Sequence, residues 1–165
     1  MKIGLLSDTH SYLDDKIFYH FKDCDEIWHA GDVGADNVLD QLREFKPVRA
    51  VFGNIDGGIV RQTCSEDLLF EVSGLRVFMT HIGGYPPKYA GRVRSVLKAE
   101  QPDLYICGHS HILKIMRDPA LNNLLHINPG AAGRHGFQQM RTLVRFDVAA
   151  GVISNVQVIE LGKRV

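Results

Sequence analysis

The chain has 165 residues, 45% of them hydrophobic and 23% charged, with 19 basic and 19 acidic side chains and no formal net charge. That apolar content excludes a disordered chain, neutrality excludes a nucleic-acid binder held by bulk electrostatics, and no apolar run is long enough to cross a bilayer. Lys2 is followed by too few apolar residues for a secretory leader, and Cys24, Cys64 and Cys107 lack CxxC spacing, so a cytoplasmic protein with free thiols is expected.

Lys2-Ile3-Gly4-Leu5-Leu6-Ser7 is a short apolar run that predicts a buried strand. Apolar positions at Leu13, Ile17, Phe18 and Phe21 predict a helix over 14–23, and Asp25–His29 predicts a second strand. Val38, Leu39, Leu42 and Phe45 predict a helix over 35–45, closed by Pro47, and Val48–Phe52 a third strand. This alternation argues for parallel βαβ units. Ser73-Gly74 between 68–72 and 75–80 predicts a hairpin. A helix from about 87 to 100 follows, then strands at 104–107, near 112–117 and 124–127, and at 142–148 and 152–160. The later part reads as mostly antiparallel, so the expectation is an α/β fold with two sheets.

The informative residues stand where strands end. Functional groups in α/β sheets collect beyond the carboxyl ends of parallel strands. Here those ends read Ser7-Asp8-Thr9-His10, Gly31-Asp32, Gly53-Asn54-Ile55-Asp56, Thr80-His81 and Gly108-His109-Ser110-His111. Carboxylate, amide oxygen and imidazole suit Mn, Fe, Zn or Ni, and the absence of cysteine argues against a structural zinc cage. Asp8, His10, Asp32, Asn54, His81, His109 and His111 are too many ligands for one ion and fit two that share a carboxylate. Two such ions can clamp the attacking and leaving oxygens of a phosphoryl displacement.

In these motifs, joined by Asn128-Pro129-Gly130, the sequence resembles the calcineurin-like metallophosphoesterases, in their small single-domain bacterial and archaeal phosphodiesterase branch. The resemblance implies one domain over 1–165, a four-layer αββα sandwich of two mixed sheets. It implies Asp8, His10, Asp32 and His111 at one metal and Asp32, Asn54, His81 and His109 at the other. Asp32 would bridge the two. It also implies a hydroxide bridging the metals as nucleophile, with Asn54 and His81 as the catalytic side chains beside it. The cofactor expected is two divalent ions per chain, manganese first, with nickel, iron, zinc and magnesium as alternatives.

Many members of the family carry histidine after the motif asparagine, where this chain has Ile55. A poor leaving group needs a proton donor, and lack of that histidine goes with diesterase activity. The expected function is therefore metal-dependent hydrolysis of small phosphate diesters. A phosphomonoesterase or nuclease of the same family is the alternative among enzymes, and a non-catalytic scaffold like the retromer subunit the alternative outside them. No membrane or strong nucleic-acid partner is expected, and a homodimer is allowed.

Asp56, Arg134 and His135 are further catalytic candidates, the last two either touching substrate or lying in a solvated Gly130–Gly136 loop. His29 is either a support for the ligands or a satisfied core histidine. Asn128 reads as a loop anchor, His126 as structural and His20 as a helix-surface residue. Arg92, Arg94 and Lys98 read as a solvated helix face or a steering patch.

Overall fold

A computed structural model describes residues 1–164. The first apolar run forms β1 (Lys2–Leu6), flanked by β2 (Glu26–His29) on one side and β11 (Met140–Ala149) on the other. With β3 (Val48–Ala50) and β12 (Val152–Lys163) they make a sheet of order β12-β11-β1-β2-β3. β1, β2 and β3 run parallel, whereas β11 and β12 are antiparallel additions. The second sheet has the order β4-β5-β8-β10-β9, built from β4 (Asp67–Val72), β5 (Leu75–Thr80), β8 (Leu104–Ile106), β9 (Lys114–Asp118) and β10 (Leu124–Asn128). Only its edges are antiparallel hairpin partners; β5, β8 and β10 are parallel. The later strands thus pair mostly antiparallel, as expected (β4 with β5, β9 with β10, β11 with both β1 and β12), but the centre of the second sheet is parallel, which the alternation did not indicate. Helix and turn segments between β5, β8 and β10 supply crossovers that a periodicity count reads as meander turns.

Side-chain alternation sorts the layers. Ile3, Leu5 and Trp28 from the first sheet meet Val77, Met79, Ile106 and Ile127 from the second, forming the core between the sheets. The opposite face of the first sheet, with Leu6, Ile27 and Leu143, is covered by Ile17 and Phe21 of α1 (Asp15–Phe21) and Val38, Leu39 and Leu42 of α2 (Asn37–Phe45). The outer face of the second sheet, with Phe78 and Tyr105, is covered by Val93 and Leu97 of α4 (Gly91–Glu100). Helices, sheet, sheet and helix make four layers.

The helices are shorter than their apolar spacing suggests. Asp14 caps α1 by accepting the Lys16 N–H at 3.0 Å, which sets the start one residue late. A two-strand ribbon, β6 (Gly84–Tyr85) and β7 (Lys88–Tyr89), occupies the expected first turn of α4. A short helix not foreseen in the sequence, α3 (Gly58–Thr63), begins at Gly58 with Gly57 as its N-cap. Among the described residues no helix is long and apolar enough to cross a membrane.

Because β1, β2 and β3 share a direction, as do β5, β8 and β10, their carboxyl ends form two rows. Backbone hydrogen bonds stitch each row, Asp8 N–H to Gly31 O at 3.0 Å in the first and Gly108 N–H to His81 O at 3.0 Å in the second, and Gly133 N–H to Asp8 O at 3.0 Å joins the two.

Candidate metal centre

The strand-end side chains converge. In one group, Asp8, His10, Asp32 and His111 each place a ligand atom within 4.8 Å of the others; in a second, Asp32, His81 and His109 do the same. Asp32 belongs to both. Its Oδ1 lies 3.2 Å from His81 Nε2 and its Oδ2 3.6 Å from His10 Nε2, so each oxygen faces one group. Asp8 Oδ1 lies 3.2 Å from His111 Nε2 and 3.9 Å from His81 Nε2, and its Oδ2 accepts the His109 backbone N–H at 3.2 Å. Asn54 is exposed in the cleft that His81 also lines.

Backbone conformation aims these groups. Asp8, His10, Asp32, His109 and His111 have φ of +54°, +46°, +54°, +66° and +59°. Left-handed non-glycine residues cost about 1–3 kcal/mol each, so five cost an amount comparable to the net stability of a small domain. The surroundings must therefore over-determine the loops, and they do. Asp56 is buried, and its carboxylate accepts three backbone N–H groups: Val33 at 3.1 Å, Gly34 at 2.7 Å and Gly53 at 2.8 Å. It pins the loop carrying Asp32 to the loop carrying Asn54. Gly53 is required by close approach, since a Cβ there would stand 2.0 Å from Asp32 Oδ1.

Hydrogen bonds also set the imidazoles. His81 Nδ1 donates to Ala30 O at 2.7 Å, which leaves the Nε2 lone pair facing the cluster. His111 Nδ1 meets Gln138 Oε1 at 3.0 Å, and the Gln138 amide nitrogen donates to His135 O at 3.0 Å, fixing which end faces the ring. His111 thus also presents a bare Nε2. Gln138 carries no motif signal; it stands 27 residues away from His111 in sequence. His29 proves to be a support. Gly31 N–H donates to its Nδ1 at 3.2 Å, so its Nε2 carries the proton and donates to Thr9 Oγ1 at 3.0 Å. Thr9 in turn donates to Val33 O at 2.9 Å. Burial pushes the His29 pKa down to about 4, consistent with this neutral form.

The donor set suits cations. Asp8 Oδ1 and His81 Nε2 are buried and without an aligned hydrogen-bond partner, although each has a cluster atom 3.2 Å away. Their lone pairs point at a shared space instead of at one another. Burial opposes charge on His81 and His111, yet Asp32 and Asp8 hold the His81 imidazole above its usual pKa, and Asp8 does the same for His111. Burial likewise opposes ionisation of Asp32, yet His81 holds that carboxyl below the usual range. The electrostatics favour positive charge in the cluster, and oxygen and imidazole donors suit divalent transition ions.

The remaining candidates separate. His135 is exposed and its ring lies 4.8 Å from that of His10, at the cluster. Arg134 lies over the Tyr12 ring at 4.2 Å. Asn128 donates to Gly108 O at 2.8 Å and Ser110 Oγ at 3.1 Å, so it anchors the loop that carries His109 and His111.

Residues 1–151 match the family model of the calcineurin-like phosphoesterase superfamily domain. A protein of Methanothermobacter thermautotrophicus named "Probable metallophosphoesterase" is 32% identical over 136 residues, 79% of this chain and 77% of that protein. A protein of Methanocaldococcus jannaschii named "Phosphodiesterase" is 29% identical over 150 residues, 79% of this chain and 83% of that one. Among solved structures, Vps29 of Chaetomium thermophilum superposes with a TM-score of 0.76 at 15% identity, covering 100% of both chains.

Proposed function

Since the chain belongs to the calcineurin-like phosphoesterase superfamily, we propose that it is a divalent-metal-dependent phosphodiesterase acting on small phosphate diesters. The observation that carries this reading is the double engagement of Asp32, one oxygen toward each ligand group. Asp8, His10, Asp32 and His111 would hold one ion, and Asp32, Asn54, His81 and His109 a second. A bound pair supplies Lewis acidity, which lowers the pKa of water and offsets negative charge on phosphoryl oxygens.

The chain's own residues do the rest. His81 and His111 are held with Nε2 bare by Ala30 O and Gln138. Asn54, in the cleft beside His81, offers an amide to the substrate. Ile55 is 47% exposed at the rim and brings no proton to a leaving oxygen. We assign that part to His135, whose ring packs on His10 and is open to solvent.

A panel of diester, monoester, cyclic-nucleotide and oligonucleotide substrates, with the manganese-loaded protein, tests the reading. Diesters are expected to be cleaved fastest; faster monoester cleavage would remove the role given to Ile55. His135→Ala should slow alkyl diesters by about 10²-fold and activated nitrophenyl diesters much less, as loss of a proton donor requires. Equal slowing of both would deny His135 that part.

The related phosphodiesterase name supports the diester assignment. The scaffold reading, suggested by the Vps29 fold, does not account for a ligand set in which every strand end retains its donor. Metal analysis after chelator-free purification separates the two: the enzyme reading expects about two ions per chain.

A further inference from the structure

Three ligand residues are each followed by an exposed isoleucine: Asn54 by Ile55, His81 by Ile82, and His111 by Ile112. Single exposed apolar side chains are ordinary on a protein surface. Two of the three, Ile82 and Ile112, line one cavity beside the polar cluster.

Ile82 and Ile112 border a cavity of about 160 Å³, and His109 of the second ligand group lines it too. Tyr85 forms one wall, with the Lys114 ammonium 3.3 Å from its ring centroid. Cys107 and His126 also line it. His126 is buried and stacks on Tyr105 at 5.0 Å, and burial pushes its pKa down to about 4, so it contributes no charge. No carboxylate is among the described lining residues.

We propose that this cavity receives a flat aromatic ester arm, aryl or heteroaryl, of the diester whose phosphorus sits at the ligand cluster; the proposal rests on the phosphodiesterase reading above. His109 is common to cluster and cavity, so a substituent on the phosphoryl group has a direct path from one to the other. The size fits, since an apolar cavity of about 150 Å³ accepts a benzene ring. The Lys114 ammonium already covers one face of Tyr85, so a flat ring packs against the remaining surface of Tyr85 and offers the ammonium a second π-face. A polyhydroxylated arm would lay hydroxyls against Ile82, Ile112 and Cys107, where each one that misses Ser110, Asn128 or Lys114 is costly. A methyl ester would leave the space unfilled.

Calorimetric titration of the manganese-loaded protein with methylphosphonate and benzylphosphonate tests this without turnover. Benzylphosphonate should bind at least about tenfold more tightly, from burial of its ring. The affinity ratio should fall to about twofold in Tyr85→Ala and, separately, in Ile112→Ser, as the wall or the rim is removed. Equal affinities in the unaltered protein, or a ratio indifferent to both substitutions, would overturn the proposal while leaving the diesterase reading intact. If neither phosphonate binds the loaded protein, the phosphoester reading falls and the proposal with it.

Discussion

The two ligand groups share Asp32 and otherwise differ. In the first, Asp8 and His111 are buried and each is braced by a hydrogen bond, Asp8 by the His109 N–H and His111 by Gln138. The second combines a buried, braced His81 with an exposed His109 and an exposed Asn54, and opens onto the rim of isoleucines and the cavity beside them. A closed, pre-aimed ligand set loses little freedom on taking an ion, whereas exposed side chains must be ordered at that moment. The first group is therefore expected to retain metal more tightly, and the second to exchange it and face substrate.

Four measurements would break or sharpen that contrast. Asp32→Ala removes the one side chain common to both groups and should abolish metal retention and lower kcat by about 10³-fold or more. Elemental analysis and turnover check it, and substantial activity would dispose of the shared-carboxylate arrangement. Gly53→Ala places a methyl 2.0 Å from Asp32 Oδ1, the oxygen facing His81. It should cost about 10²-fold in activity and deplete the second group first. Loss of both ions together would deny the two groups their independence.

Acid sensitivity needs a reference outside both groups, and His126 provides one. Burial pushes its pKa down to about 4, against 6.5 for an exposed histidine. The unfolded chain therefore takes up the proton first, and the stability is present above about pH 6.5 and lost as pH falls toward 4. His126→Phe keeps the stack on Tyr105 and should remove about 2 kcal/mol of the acid destabilisation, measured by denaturant titration of chelated protein at pH 7 and 4.5. An unchanged pH dependence would mean that other groups, His29 among them, account for the loss. The smallest effect is expected from Gln138→Leu, which removes the partner of His111 Nδ1 and should weaken metal binding at the first group about tenfold. Weakening confined to the second group would contradict the assignment.

How much was legible differs residue by residue. Asp8, His10, Asp32, His81, His109 and His111 were visible as polar residues at strand ends, and the structure brings all six together. Asp56 was visible too, but its place as a clamp for three backbone N–H groups depends on the approach of β2 to β3. Between Arg134 and His135 the sequence offered no choice; packing put one ring on His10 and the other side chain on Tyr12. Gln138 and the apolar cavity had no local signal, since each is assembled from segments far apart in the chain. The parallel centre of the second sheet escaped for the same reason, because strand direction is decided by crossovers and not by alternation.

From the sequence alone came the kinds of donor, their order and the strands that carry them, because those depend on residue type and on local periodicity. Only the tertiary structure decided which donors share an ion-sized space, which ring nitrogen faces it, and that an apolar cavity opens beside it. Those are long-range facts. Five left-handed residues hold their shape only because two sheets and their loops pack around them, and no stretch of sequence encodes that support by itself.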